Sequence, residues 1–189
     1  ERLHRWGGKR DFAYRLNTPA RALAAGMRTA GLGALLGLAD PISDAIALFQ
    51  HLLFLRATCW RAGFSISFPR VRPQLGGFTP AHAVSDKMLA QIIFAFRICL
   101  PDVPLVLSTR ESAAFRDSMA GLGISKMSIA SRTTVGGYNA ESADVNGQFD
   151  VCDNRDIASF RSALQNKKLE AVFKNWDAVY RDAVTGAKE

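Results

Sequence analysis

Apolar residues fall in short runs separated by longer stretches with a period near 3.6, and the two kinds of segment alternate along most of the chain. Asn17-Thr18-Pro19 predicts a helix start, with a capping side chain and proline in the first turn; that helix ends near Gly26. Residues 31–38 (GLGALLGL) predict a buried strand. Pro41 opens a long helix with Ile42, Ile46, Phe49, Leu52 and Leu53 on or near one face, broken at Gly63. Residues 64–68 (FSISF) predict a second strand, and Pro69 and Pro73 stiffen its exit. After Gly76-Gly77 a helix begins near Ser85 and turns Leu89, Ile92, Ile93 and Phe96 inward. Pro101 and Pro104 bracket the turn into a third strand at 105–108, and Ser112 caps a short helix that stops at 121–123. A fourth strand follows at 126–130 (KMSIA). Beyond it the pattern changes. A glycine-rich loop at 135–138 and a polar stretch reach Asp156, followed by a helix, a strand at 169–173 and a terminal helix.

Repeated strand–helix units predict an α/β fold with a parallel sheet. Four such units make half of a (β/α)8 barrel, because four buried strands alone would leave both sheet edges unpaired. The expected architecture is therefore the second half of a barrel. A complete small doubly wound sheet is the alternative.

Composition narrows the class. The 189 residues are 48% hydrophobic and 22% charged, which argues against disorder, collagen and coiled coil. The longest apolar stretch, 30–38, contains three glycines and gives way to Asp40-Pro41, so no membrane span is expected. The chain opens at Glu1 without a charged-then-apolar leader, and excision from a longer protein is the expectation. Cys59, Cys99 and Cys152 are far apart, form no local metal motif and are odd in number, which fits a reducing cytoplasm. The net charge of +7 raises the question of nucleic acid, but the arginines are scattered and form no dense block. A solvated basic surface, with no nucleic-acid partner, is the reading for most of that charge.

Parallel barrels build their sites at the C-terminal ends of strands. Those positions carry Gly37 and Asp40, then Arg70 and Arg72, then Ser108, Thr109, Arg110 and Glu111, then Ser128, Ser131 and Arg132. Three of the four rims hold arginine, whose planar fork suits carboxylates and phosphates, so an anionic or zwitterionic ligand is expected in the mouth. The plainer alternative is that each arginine pairs with a nearby Asp or Glu. Gly33, Leu35 and Gly37 either relieve packing or form an apolar shelf for a flat ring. No helix begins among these glycines, so they are not a dinucleotide fingerprint. His4, His51 and His82 are widely spread, Lys126 falls at a strand start, and serine-nucleophile motifs are absent. What the residues supply is positioning rather than acid–base, metal or covalent chemistry.

A series of motifs in order carries a resemblance: 31–40 (GLGALLGLAD), 65–73 (SISFPRVRP), 107–111 (LSTRE), Phe115-Arg116-Asp117, 127–138 (MSIASRTTVGGY), Gln148-Phe149 and Lys174-Asn175-Trp176-Asp177. From about Leu16 to Tyr180 the chain resembles the C-terminal half of the tyrosine lyases of thiamine biosynthesis (2-iminoacetate synthases), a family of radical S-adenosylmethionine enzymes. The resemblance implies strands 5 to 8 of a radical-SAM-type barrel over 1–130. Residues 131–189 are then the α/β extension shared by biotin and thiamine synthesis enzymes, closing the barrel. Gly33-x-Leu35-x-Gly37-x-x-Asp40 is similar to the family's fifth-strand Gly-x-Ile-x-Gly-x-x-Glu, which backs the adenine of S-adenosylmethionine. Asp for Glu shortens the acid there.

The chemistry so implied uses a four-iron, four-sulfur (4Fe-4S) cluster to cleave S-adenosylmethionine to a radical. That radical takes hydrogen from tyrosine, and the Cα–Cβ bond then breaks to give p-cresol and dehydroglycine (2-iminoacetate) for the thiazole. Both ligands carry carboxylates. Arg110, with Ser108, Ser128 and Ser131, is expected to hold the tyrosine, and Arg70 and Arg72 to steady the cofactor side. The family's C-x3-C-x2-C cluster motif belongs upstream, and no cysteine pair here replaces it. The chain alone is therefore expected to be inactive, needing an N-terminal barrel half, with a thiazole synthase as a candidate docking partner. The nearest rival in the superfamily is the tyrosine-using hydrogenase maturase, whose C-terminal C-x2-C is matched here only by Cys152. Two readings from other classes are a degenerate, non-catalytic half that docks on another chain and a phosphate-binding barrel using Gly136-Gly137.

Overall fold

The computed structural model of the chain describes residues 6–72, 78–133 and 151–173. After a 3-10 turn the elements run α1 (Phe12–Leu16), α2 (Thr18–Ala24), β1 (Thr29–Gly33), α3 (Pro41–Thr58), β2 (Gly63–Ser67) and α4 (Asp86–Cys99). They continue with β3 (Leu105–Leu107), α5 (Ala113–Met119), β4 (Lys126–Met127) and α6 (Ile157–Asn166). The four strands form one parallel sheet in the order β1-β2-β3-β4.

Register divides the sheet into two chemically different faces. Leu32 pairs with Ile66, Ile66 with Leu105, and Leu107 with Met127. This row is apolar, and Leu32, Ile66, Leu105 and Leu107 join the core beneath α3, α4 and α5. On the other face Gly33 pairs with Ser67, Ser67 with Val106, and Val106 with Lys126. None of these four is buried. In parallel strands, residues in register share a face, so one side packs and the other stays open.

Side-chain caps start five helices: Asp11 accepts from the amide of Tyr14 at 2.8 Å at α1, and the other four follow the same pattern. Asp40, Ser85, Ser112 and Asp156 accept from the amides of Ser43, Met88, Phe115 and Ser159 at 2.8, 3.2, 3.2 and 2.8 Å. α4 buries Leu89, Ile92, Ile93 and Phe96 as its periodicity predicts, and Phe96 meets Phe49 and Phe68 edge-on.

Several expectations need correction. β1 lies earlier than residues 31–38 and ends at Gly33. Beyond it the chain turns at Gly37 (φ +110°), keeping only a bridge from Leu36 to Arg70. Asn17 does not cap α2 with its side chain; its amide instead closes α1. α3 buries Ala45, Leu48, Leu52 and Leu55, whereas Ile42, Ile46 and Leu53 are exposed and Phe49 is partly buried. That helix is apolar almost all round, so periodicity alone does not select its face. β4 spans two residues, and residues 169–173 form no strand; Leu169 instead packs where a side chain on Gly121 would stand. His4, Gly76-Gly77, the 135–138 loop, Gln148-Phe149, the 174–177 motif and the terminal helix lie outside the described residues.

Candidate functional site

All four strands point the same way, so their C-terminal ends share one edge of the sheet, as the sequence predicts. The first two rims are stitched together by backbone. Leu36 N–H donates to Pro69 O at 2.8 Å, and Val71 N–H donates to Leu36 O at 2.9 Å. Gly37 closes the turn with its oxygen accepting from His82 N–H at 3.3 Å, and a Cβ there would lie 3.2 Å from His82 O. Gly33 and Leu35 are exposed, although Ser67 crowds the Cβ position of Gly33, and Gly37 is buried. Asp40 stands apart as the cap of α3, its carboxyl held below the usual carboxylate range by the Ser43 amide.

The second and third rims meet at a carboxylate. Glu111 is 1% exposed and accepts from Arg70 Nε at 3.1 Å, from Arg70 Nη2, and from Arg72 Nη2 at 2.7 Å. Arg70 is itself buried and donates Nη1 to Val84 O at 2.8 Å. Burial pulls its guanidinium down, and Glu111 with Asp86 more than reverses that. Arg70 and Arg72 thus have the carboxylate partner that the plainer alternative called for. Arg110, next in sequence to Glu111, is half-buried. Burial lowers its pKa, Glu111 opposes the shift and Arg72 adds to it. Two guanidinium groups, Arg70 and Arg72, therefore bind one buried carboxylate, and the half-buried Arg110 feels the charges of both Glu111 and Arg72. Asp86, the other acidic partner, is largely exposed. Arg72 Nε is buried with no hydrogen-bond partner among the described residues.

The third and fourth rims are joined differently. Ser108 Oγ accepts from Arg110 N–H at 3.3 Å, and Ser128 N–H donates to Leu107 O at 3.1 Å. Arg116, 1% exposed, donates one terminal nitrogen to Ser128 O and the other to Asp153. The amides of Cys152 and Asp153 both donate to Thr109 O, at 3.0 and 3.1 Å. Arg155 grips Asp117 through two nitrogens at 2.8 and 2.9 Å and reaches Asp153 Oδ1 through Nε at 2.9 Å. Both guanidinium groups lie over the Phe160 ring, at 4.9 and 5.4 Å. Burial pushes the Asp153 carboxyl up, but the bonds from Arg155 and the charge of Arg116 outweigh it and hold it below its ordinary value. Ser131 is half-buried beyond β4.

Sequence reasoning placed Glu111 and Arg116 in motifs without a role and passed over Asp153 and Arg155. Arg70 and Arg116 are buried, as exceptions to the solvated reading of most of the basic charge. Among the described residues, no three His, Cys, Asp or Glu side chains converge as a metal site, and no helix is long and apolar enough to cross a membrane.

Residues 67–170 match the family model described as the biotin and thiamin synthesis associated domain. The chain is 42% identical over 176 residues to 2-iminoacetate synthase of Salmonella typhimurium, covering 93% of this chain and 46% of that protein. To 2-iminoacetate synthase of Escherichia coli it is 42% identical over 178 residues, 94% of this chain and 47% of that one. The chain thus spans about half the length of the curated relatives it matches. The fold superposes on the FeFe-hydrogenase maturase HydG from Carboxydothermus hydrogenoformans with TM-score 0.82 and 35% identity, over 94% of this chain and 40% of that one. A second HydG crystal structure gives TM-score 0.80 and 33% identity, over 87% of this chain and 36% of that one. The four-stranded parallel sheet is accordingly a partial barrel of the radical S-adenosylmethionine type.

Proposed function

The chain belongs to the biotin and thiamin synthesis associated domain family, and from that membership and its 42% identity to the 2-iminoacetate synthases we propose that it is the C-terminal half of a radical S-adenosylmethionine lyase acting on tyrosine. The reaction is cleavage at Cα–Cβ to dehydroglycine (2-iminoacetate) and p-cresol, serving the thiazole of thiamine. The observation that carries the reading is the arginine-rich strand end, where Arg70 and Arg72 bind the buried Glu111 and Arg110 feels its charge. A guanidinium fork at this edge suits an amino-acid carboxylate.

In this reading Arg110, with Ser108, Ser128 and Ser131, holds the tyrosine carboxylate, and Arg70 and Arg72 steady the cofactor side. Gly33, Leu35 and Gly37 back the adenine in this reading: Gly33 and Leu35 are exposed, and Gly37, buried against His82 and Pro80, shapes the turn beside them. When bound, S-adenosylmethionine together with the 4Fe-4S cluster would supply the hydrogen-abstracting radical chemistry. The described residues gather no ligand set for the cluster, whose ligands we assign to the part of the relatives' length that this chain does not span. What these residues do is bind, orient and shield the substrate. Residues 1–130 are the barrel half and 131–189 the closing extension. The partners are the N-terminal half and a thiazole synthase, in the cytoplasm.

Arg110→Lys in the intact, cluster-loaded enzyme tests the reading. A point charge replaces a fork poorly, so the tyrosine KM should rise by about tenfold or more. Near-normal p-cresol formation at low tyrosine would overturn the clamp.

A further inference from the structure

We infer that Asp153, through Arg116, is a positioning residue that locks the rim after β3 to the rim after β4 and so sets the spacing of Arg110 and Ser128. The inference rests on the reading of that pair as the carboxylate clamp.

The connection runs through main-chain atoms of, or next to, both clamp residues. Thr109 O, one residue before Arg110, accepts from the amides of Cys152 and Asp153. The Asp153 carboxylate binds Arg116, whose other terminal nitrogen binds Ser128 O. Each link is directional. A guanidinium fork fixes the angle as well as the distance between the groups it joins.

The sheet does only part of this work. β4 pairs with β3 at only two positions, Val106 with Lys126 and Leu107 with Met127. Past Ser128 N–H, which still bonds Leu107 O, the chain turns away, and Ala130 takes a left-handed φ of 49°. The fourth rim therefore depends on Arg116 where a longer strand would depend on a ladder. A buried ion pair is a poor way to gain stability over apolar packing, but a good way to impose one geometry. Arg155 completes the device by holding Asp153 against Asp117 on α5.

The test uses the intact, cluster-loaded enzyme carrying Asp153→Asn, Asp153→Glu, Arg116→Lys or Arg110→Lys. Tyrosine KM, S-adenosylmethionine affinity and amide hydrogen exchange over 108–111 and 128–132 are read. Loss of the latch should raise the tyrosine KM about tenfold, as small misplacements do, with S-adenosylmethionine affinity within about twofold. Exchange should quicken in both rims together, and Asp153→Glu should recover part of the loss. Arg116→Lys keeps the charge and gives up the fork, so it should loosen the rims even where Asp153→Asn fails to fold. If Arg110→Lys raises the tyrosine KM while folded Asp153→Asn and Arg116→Lys do not, the latch is wrong and the clamp stands. If Arg110→Lys leaves the tyrosine KM unchanged, the clamp is wrong. Exchange then decides the latch: joint loosening of both rims upholds it, and a rim that stays protected overturns it.

Discussion

A Cβ atom on Gly33 would stand 2.9 Å from the main-chain oxygen of Ser67 and 2.5 Å from its hydroxyl. The two residues are paired in register, so the glycine lets β1 and β2 close at their C-terminal ends. Gly33→Ala should lower stability by about 1–3 kcal/mol, measured by urea denaturation of the protein. Adding Ser67→Ala removes the hydroxyl but not the carbonyl, so the double variant should recover only part of the loss.

Glu111 is the counter-charge of two guanidinium groups. Glu111→Gln keeps the shape and removes the charge, leaving Arg70 buried beside Arg72 without its carboxylate. The expected cost is roughly 3–5 kcal/mol in denaturant midpoint experiments, the range for breaking one side of a buried pair. An unchanged midpoint would mean that the exposed Asp86 suffices for Arg70.

Acid should weaken the Asp153 latch. With its folded pKa held low, the native protein takes up that proton less readily than the unfolded chain does. The stabilisation is therefore complete above the unfolded carboxylate value, about 3.9, and disappears as pH falls through the lower folded value. The stability gap between wild type and Asp153→Asn should be flat near neutrality and narrow below about pH 4, in urea titrations at each pH.

The two sides of α3 should answer substitution differently. Leu52 is fully buried, and Leu52→Ala should cost about 2–5 kcal/mol. Ile46 is 54% exposed, and Ile46→Gln should stay within about 0.5 kcal/mol in the same denaturation assay.

That contrast marks where the sequence was legible. The strand–helix alternation, the caps at Ser85 and Ser112 and the inward face of α4 follow from local spacing, and the structure repeats them. The face of α3 does not, because Ile42, Ile46 and Leu53 are as apolar as Leu48 and Leu52. The extent of β1 does not either, since a strand lasts only as long as its partner, and β2 offers register only up to Ser67. Candidate site positions were readable because topology alone collects strand ends. Their charge partners were not: Glu111 lies 41 residues from Arg70, and Asp153 lies 37 from Arg116. Spacing along a helix or strand carries no information at such separations.

The simple strand order has a consequence for how the chain is made. Within this part of the chain each strand's neighbour is the next one synthesised, so each strand can dock on the one before it as the polypeptide emerges. Every added strand closes one modest loop and finds its docking edge already in place, which keeps the entropic cost of each step small.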